Sequence, residues 1–211
     1  MRRIKWWQCA SLVAACLGGQ VAAAPAQGKA LAPMPRADSV QESTPALARR
    51  ILIAKDHRGL PFAIVDKRQA TLAVYFGDGR LAGETVALLG QAVGDRLLPG
   101  IGERTQRGQL RSADMITPAG RFSSEPGRNL AGEAVVWIDY ASAFSIHRLR
   151  PGPSKDRRAR HLAAGLAGER RLSSGCVVVP PEFYDTVVRP VLGTGRGVVY
   201  VMAEEGPTQD L

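Results

Sequence analysis

Residues 171–180 read RLSSGCVVVP, and Cys176 in this run stands directly behind Ser173-Ser174-Gly175 and ahead of three valines. A thiol becomes a strong nucleophile only as the thiolate, so the chemistry such a residue could do depends on a base or a cation beside it. Three histidines are available: His57, His147 and His161. His57 lies in the polar turn AKDHRG and reads as a solvated loop residue, and His161 in RRARHLAAG reads as a surface residue among arginines. His147 closes the run AFSIH, in which Phe144 and Ile146 alternate with Ser145 and His147. Period-two alternation places Ser145 and His147 on one face of a strand and the two hydrophobes on the other, where a base can reach a cleft. Gly175 permits a sharp turn, so the amides of Ser174, Gly175 and Cys176 can converge on the oxyanion of an acyl-transfer intermediate. Two plainer readings stand beside these: an ordinary Ser-Ser-Gly turn, and a buried cysteine packing as a small hydrophobe.

The N-terminus bears on the redox setting of that thiol. Arg2, Arg3 and Lys5 precede an apolar stretch from Trp6 to about Ala24 followed by small residues, the pattern of a secretory signal peptide over residues 1–26. Cleavage after Ala24 or Ala26 removes Cys9 and Cys16 and leaves Cys176 unpaired in an exported chain, periplasmic or in the cell envelope. LVAAC, ending at Cys16, also matches a lipoprotein box, which would anchor the chain to a membrane through a lipidated Cys16; a retained transmembrane anchor is a third option, weakened by Gln8, Gly18, Gly19 and Gln20. Residues 27–48 are rich in Ala and Pro and read as a flexible linker, leaving 49–205 as one domain and 206–211 as a tail. The 211-residue chain carries a net charge of +9 with arginine far in excess of lysine, but no nucleic-acid motif accompanies it. A basic exported protein favours anionic partners such as wall polymers.

The positioning elements are mostly strands. FAIVDKRQATLAVYF (62–76) gives two β-rich runs, Asp78-Gly79 supplies a hairpin turn, and 81–90 returns as the next strand. AGRFSS, AVVWIDY, AFSIHRL and RGVVYVM read as further strands, and 91–116 as a Gly- and Arg-rich loop. Helical pattern is confined to 46–55, a basic piece at 155–166, and 181–192, where Pro181 suits the first turn and Pro190 ends or kinks the helix. The expectation is a mostly β sandwich or barrel with a few short helices.

These residues resemble the L,D-transpeptidase (YkuD-like) catalytic domain in three places: Ser-x-Gly-Cys at 173–176, the strand ending Ile146-His147, and Thr-Pro-x-Gly-x-Phe at Thr117 to Phe122. The resemblance implies a mostly β catalytic domain over about 60–202 acting on peptidoglycan stem peptides without metal or cofactor. Cys176 would form a thioester, His147 would serve as base and then acid, Ser174, Gly175 and Cys176 would supply the oxyanion hole, and the Arg148 carbonyl would orient His147. An amine on a second stem, or on a wall-attached protein, would resolve the thioester. The chain departs from the pattern at Arg148 and Val178, and the interval from His147 to Cys176 is longer than is usual in the family. By spacing His161 fits better; the strand before His147 favours His147. Residues 148–172 then form a basic insertion near the cleft, read either as a lid over stem-peptide carboxylates or as a solvated loop. A hydrolase that cuts such linkages on the same fold and a non-catalytic wall-binding module remain open.

Overall fold

The computed structural model of the protein describes residues 42–151 and 155–204. The expected signal peptide, Cys16, residues 27–41 of the expected linker and the 206–211 tail lie outside them. Among the described residues ten strands form: β1 (Phe62–Asp66), β2 (Thr71–Tyr75), β3 (Leu81–Val86), β4 (Leu89–Gly90), β5 (Gly120–Arg128), β6 (Ala134–Asp139), β7 (Phe144–Arg148), β8 (Arg171–Ser173), β9 (Val177–Val179) and β10 (Gly197–Val201). Eight of them make one sheet in the order β3-β2-β1-β10-β5-β6-β7-β9, and β4 pairs with β8. The fold is mostly β, and it is the barrel rather than the sandwich: Leu88, just past β3, exchanges two backbone bonds of 2.8 and 2.9 Å with Val178 of β9, so the ends of the sheet meet. Val65, Leu72, Val74, Val136, Ile146, Val177 and Val199 fill the interior, as period-two patterning of β-branched residues requires.

Helix α1 (Thr44–Ala54) lays Leu47, Ala48 and Ile51 over the outer face of β1, β2 and β10, against Phe62, Ile64, Val198 and Tyr200. It begins inside the stretch expected as linker, because Ser43 caps it by accepting the Ala46 amide at 3.4 Å and Pro45 fits its first turn. His57, expected to be solvated, is 5% exposed: its Nε2–H donates to Gly77 O at 3.1 Å and its ring packs on Phe62. The 91–116 segment, expected as loop, contains α2 (Ile101–Gln106), tied by Arg104 to the buried Asp114 carboxylate at 2.6 Å. Helix α3 (Lys155–Ala164) is not a solvated loop, since Leu162 packs with Leu88, Leu149 and Val178. The last helical segment runs as α4 (Pro181–Phe183), a π turn (Tyr184–Val188) and α5 (Arg189–Leu192). Pro190 does not end the segment; the wider turn ahead of it makes room for its ring and its missing N–H.

Candidate active site

Parallel pairing of β7 with β9 sets the site. Ile146 faces Val177 and His147 faces Val178 in register, so Ser145 comes beside Cys176. Ile146 and Val177 point into the barrel, while Ser145, His147, Cys176 and Val178 share the outer face. Cys176 and His147 are therefore diagonal neighbours on adjacent strands, a relation that spans about 7–8 Å between backbones and lets long side chains meet.

The sulfur's partners here are Ser145 Oγ at 3.6 Å and the Ala143 carbonyl, to which the thiol donates at 3.4 Å. Among the described residues no hydrogen bond joins the thiol to His147 or to His161. The His147 Nδ1 lies 2.8 Å from Arg148 O. A carbonyl can only accept, so Nδ1 carries the proton and Nε2 keeps the lone pair a base needs. His147 is 8% exposed. Burial, helped by the Arg150 charge, holds its imidazolium down to about 4, against the pull of the Arg148 carbonyl and Glu133. The resting pair is thus a neutral imidazole near a thiol rather than a preformed ion pair; proton transfer accompanies attack. His161 sits at the end of α3, where its carbonyl accepts Arg170 Nε at 3.3 Å.

The turn ahead of the sulfur is built by side chains. Gly175 has φ +124°, and a Cβ there would stand 2.8 Å from Ile116 O, so only glycine fits. Ser173 Oγ donates to Cys176 O at 2.6 Å and accepts the Gly175 amide at 3.1 Å. That bond removes the Gly175 N–H from the oxyanion set and leaves the amides of Ser174 and Cys176 as its candidates. Thr117 Oγ1 donates to Gly175 O at 2.7 Å and accepts the Gly90 amide at 2.9 Å. The Thr117 carbonyl in turn accepts from the buried Lys67 Nζ at 3.0 Å. Lys67 is also 2.5 Å from Asp95 and 3.6 Å from Glu204, and Glu204 pairs with Arg171. Thr117 was visible only as part of a motif, Ser145 only as a residue on the His147 face, and Lys67 only as part of a polar turn; long-range bonds give each its role. The sulfur opens on a cleft of about 110 Å³ lined by Ser174, Gly175, Ala143, Phe144, Ile116 and Leu97 among others. His147 lies outside that lining, on the side where α3 packs.

No family model matches the sequence, and no curated protein matches it. Solved structures do. The helical cell shape determining protein Pgp2 of Campylobacter jejuni superposes with a TM-score of 0.47 and 17% identity over 70% of this chain and 49% of its own. The chain thus spans about half the length of Pgp2. An L,D-transpeptidase of Mycobacterium smegmatis gives 0.37 and 18% over 68% and 58%. The catalytic domain of the E. faecium L,D-transpeptidase gives 0.34 and 21% over 67% and 95%. In structure, this chain is similar to L,D-transpeptidase catalytic domains, the family its motifs resemble.

Proposed function

We propose that this protein is a cysteine acyltransferase of the L,D-transpeptidase type, acting outside the cytoplasm on peptidoglycan stem peptides. The observation that carries the reading is the placement of Cys176 and His147 on one face of adjacent parallel strands, with the imidazole tautomer set by Arg148 O. The Cys176 thiol leaves the Ala143 carbonyl and gives its proton to His147 Nε2 as sulfur adds to the carbonyl of a donor stem. The amides of Ser174 and Cys176 face the developing oxyanion. Collapse expels the leaving amine, protonated by the imidazolium, and leaves a thioester on Cys176. An incoming amine, from a second stem or a wall-attached protein, loses its proton to His147 and takes the acyl group. Water in that role would make the same site a hydrolase, and muropeptide products separate the two outcomes.

The test is intact-mass detection of an acyl adduct with a carbapenem, followed by muropeptide product analysis. Wild type should gain one adduct on Cys176, His147→Ala should lose it, and His161→Ala should keep it. Loss in His161→Ala with retention in His147→Ala would move the base to His161. A wild-type chain that forms no adduct would leave a non-catalytic wall-binding module.

A further inference from the structure

The outer sheet face that holds the nucleophile does not end at it. Ser145, beside Cys176, pairs in register with Trp137 of β6, and Trp137 pairs with Glu125 of β5. On the next strand Gly197 faces Ser124, which brings Arg196 to the level of Glu125. One row of side chains therefore crosses the barrel wall: Cys176, Ser145, Trp137, Glu125, Arg196. At about 4.8 Å per strand, Trp137 stands about 10 Å from the sulfur's strand and Glu125 about 14 Å.

The far end of this row is a cleft of about 580 Å³ that contains Arg58, Arg121, Arg196, Glu125, Trp137 and Tyr140. Arg121 is held by Asp56 at 2.6 Å, whereas among the described residues Arg58 and Arg196 are exposed and form no ion pair. Tyr140 is 75% exposed and meets the Trp137 ring edge-on at 5.1 Å, and the indole lies over Gly127, where a Cβ would come within 2.5 Å of it. One buried polar atom of a lining residue, His57 Nδ1, has no hydrogen-bond partner among the described residues. With Nε2–H given to Gly77 O, Nδ1 is an unused acceptor.

We propose that this cleft binds the glycan strand from which the stem peptide projects, at neighbouring sugars whose stem has been removed and whose carboxylate is therefore bare; the assignment rests on the acyl-transfer reading above. Arg58 and Arg196 match carboxylates. Trp137 and Tyr140 offer a rigid apolar platform with polar edges, suited to the apolar faces of sugar rings. Glu125 accepts from hydroxyls. A DNA backbone has no hydroxyl or amide donor to give Glu125 and would meet its charge instead. The spacing agrees: three extended residues cover about 10 Å, so a peptide leaving a sugar over Trp137 delivers its third residue to Cys176.

Sedimentation with insoluble sacculi and with glycan strands stripped of peptides tests this. Binding is measured on the mature chain carrying Cys176→Ala, so that turnover does not intervene, while carbapenem acylation is measured on the chain with its thiol. Arg196→Glu combined with Arg58→Glu, and separately Trp137→Ala, should weaken binding to stripped strands by about ten-fold or more. Both arginines are exposed, so the double variant keeps the fold, which a melting curve verifies. Unaltered binding in the variants, or tighter binding of a single-stranded oligodeoxynucleotide than of glycan, overturns the proposal. Unaltered binding with a normal carbapenem adduct removes the cleft and leaves the acyl-transfer reading. Arginine-dependent binding without any adduct keeps the glycan cleft and removes the acyl-transfer reading.

Discussion

At Cys176 and His147 the chemistry turns on where one proton rests. A buried imidazole held down to about 4 is neutral across ordinary pH and accepts the thiol proton only as the transition state develops. The sign of the pH response follows. Above about pH 5 this group does not limit acylation; as pH falls through about 4 the ring is protonated and the rate drops. An ordinary imidazole would place that acidic limb near 6.5. Arg150→Gln removes a cation that opposes protonation and releases Glu133, its partner at 2.8 Å, so both changes move the limb upward. Adduct formation on Cys176 followed by mass against pH checks this, and a limb at the same pH in both proteins would show that Arg150 does not act on the ring. The sequence carried part of this site plainly. The alternation in AFSIH puts Ser145 and His147 on one face, and the structure places Arg148 O against the ring. It could not show that His147 is buried, or that Gly175 spends its amide on Ser173.

Among the elements, the segment that carries Thr117 matters for the nucleophile through the turn it holds. Thr117 Oγ1 holds Gly90 and Gly175 at once, coupling β4 to the turn that ends in Cys176. Thr117→Val keeps shape and leaves a buried N–H and a buried C=O unpaired, a cost of about 1–3 kcal/mol. Because Gly175 is then free to shift, kcat for stem-peptide transfer should fall about ten-fold while KM changes little, and Thr117→Ser should restore it. Equal loss in the Val and Ser variants would mean that the hydroxyl is not what positions the turn. Local patterning made most elements readable: Asp78-Gly79 for the first hairpin, β-branched runs for β1, β2, β6 and β10. The 91–116 segment was not readable, because α2 has no buried residue of its own and owes its place to Arg104 and Asp114. Nor was α3 readable as a packed helix, since a single leucine, Leu162, anchors its charged surface.

For the molecule as a whole, the sheet closes twice, and the second closure is ionic. The first is the Leu88–Val178 exchange that joins its edges. The second is Lys67, whose fully buried ammonium binds the carbonyls of Gly94 and Thr117 and the carboxylates of Asp95 and Glu204. It gathers the β1–β2 turn, the loop after β4, the Thr117 segment and the residues that follow β10 at one point. A buried cation with this many acceptors is expensive to remove alone, because Asp95 and Glu204, both largely shielded from solvent, lose its charge, and Arg171 remains as Glu204's partner. Lys67→Met should therefore cost about 3–5 kcal/mol, seen as a fall of roughly 10 °C in melting temperature. A solvated pair of the same residues would cost under about 1 kcal/mol, so the size of the loss separates the two descriptions. The variant also tests how far the nucleophile depends on the frame. Thr117 hangs from Lys67 by its carbonyl and holds Gly175 by its hydroxyl, so a folded Lys67→Met chain should acylate more slowly at Cys176 below its melting point, with the His147 acidic limb unmoved.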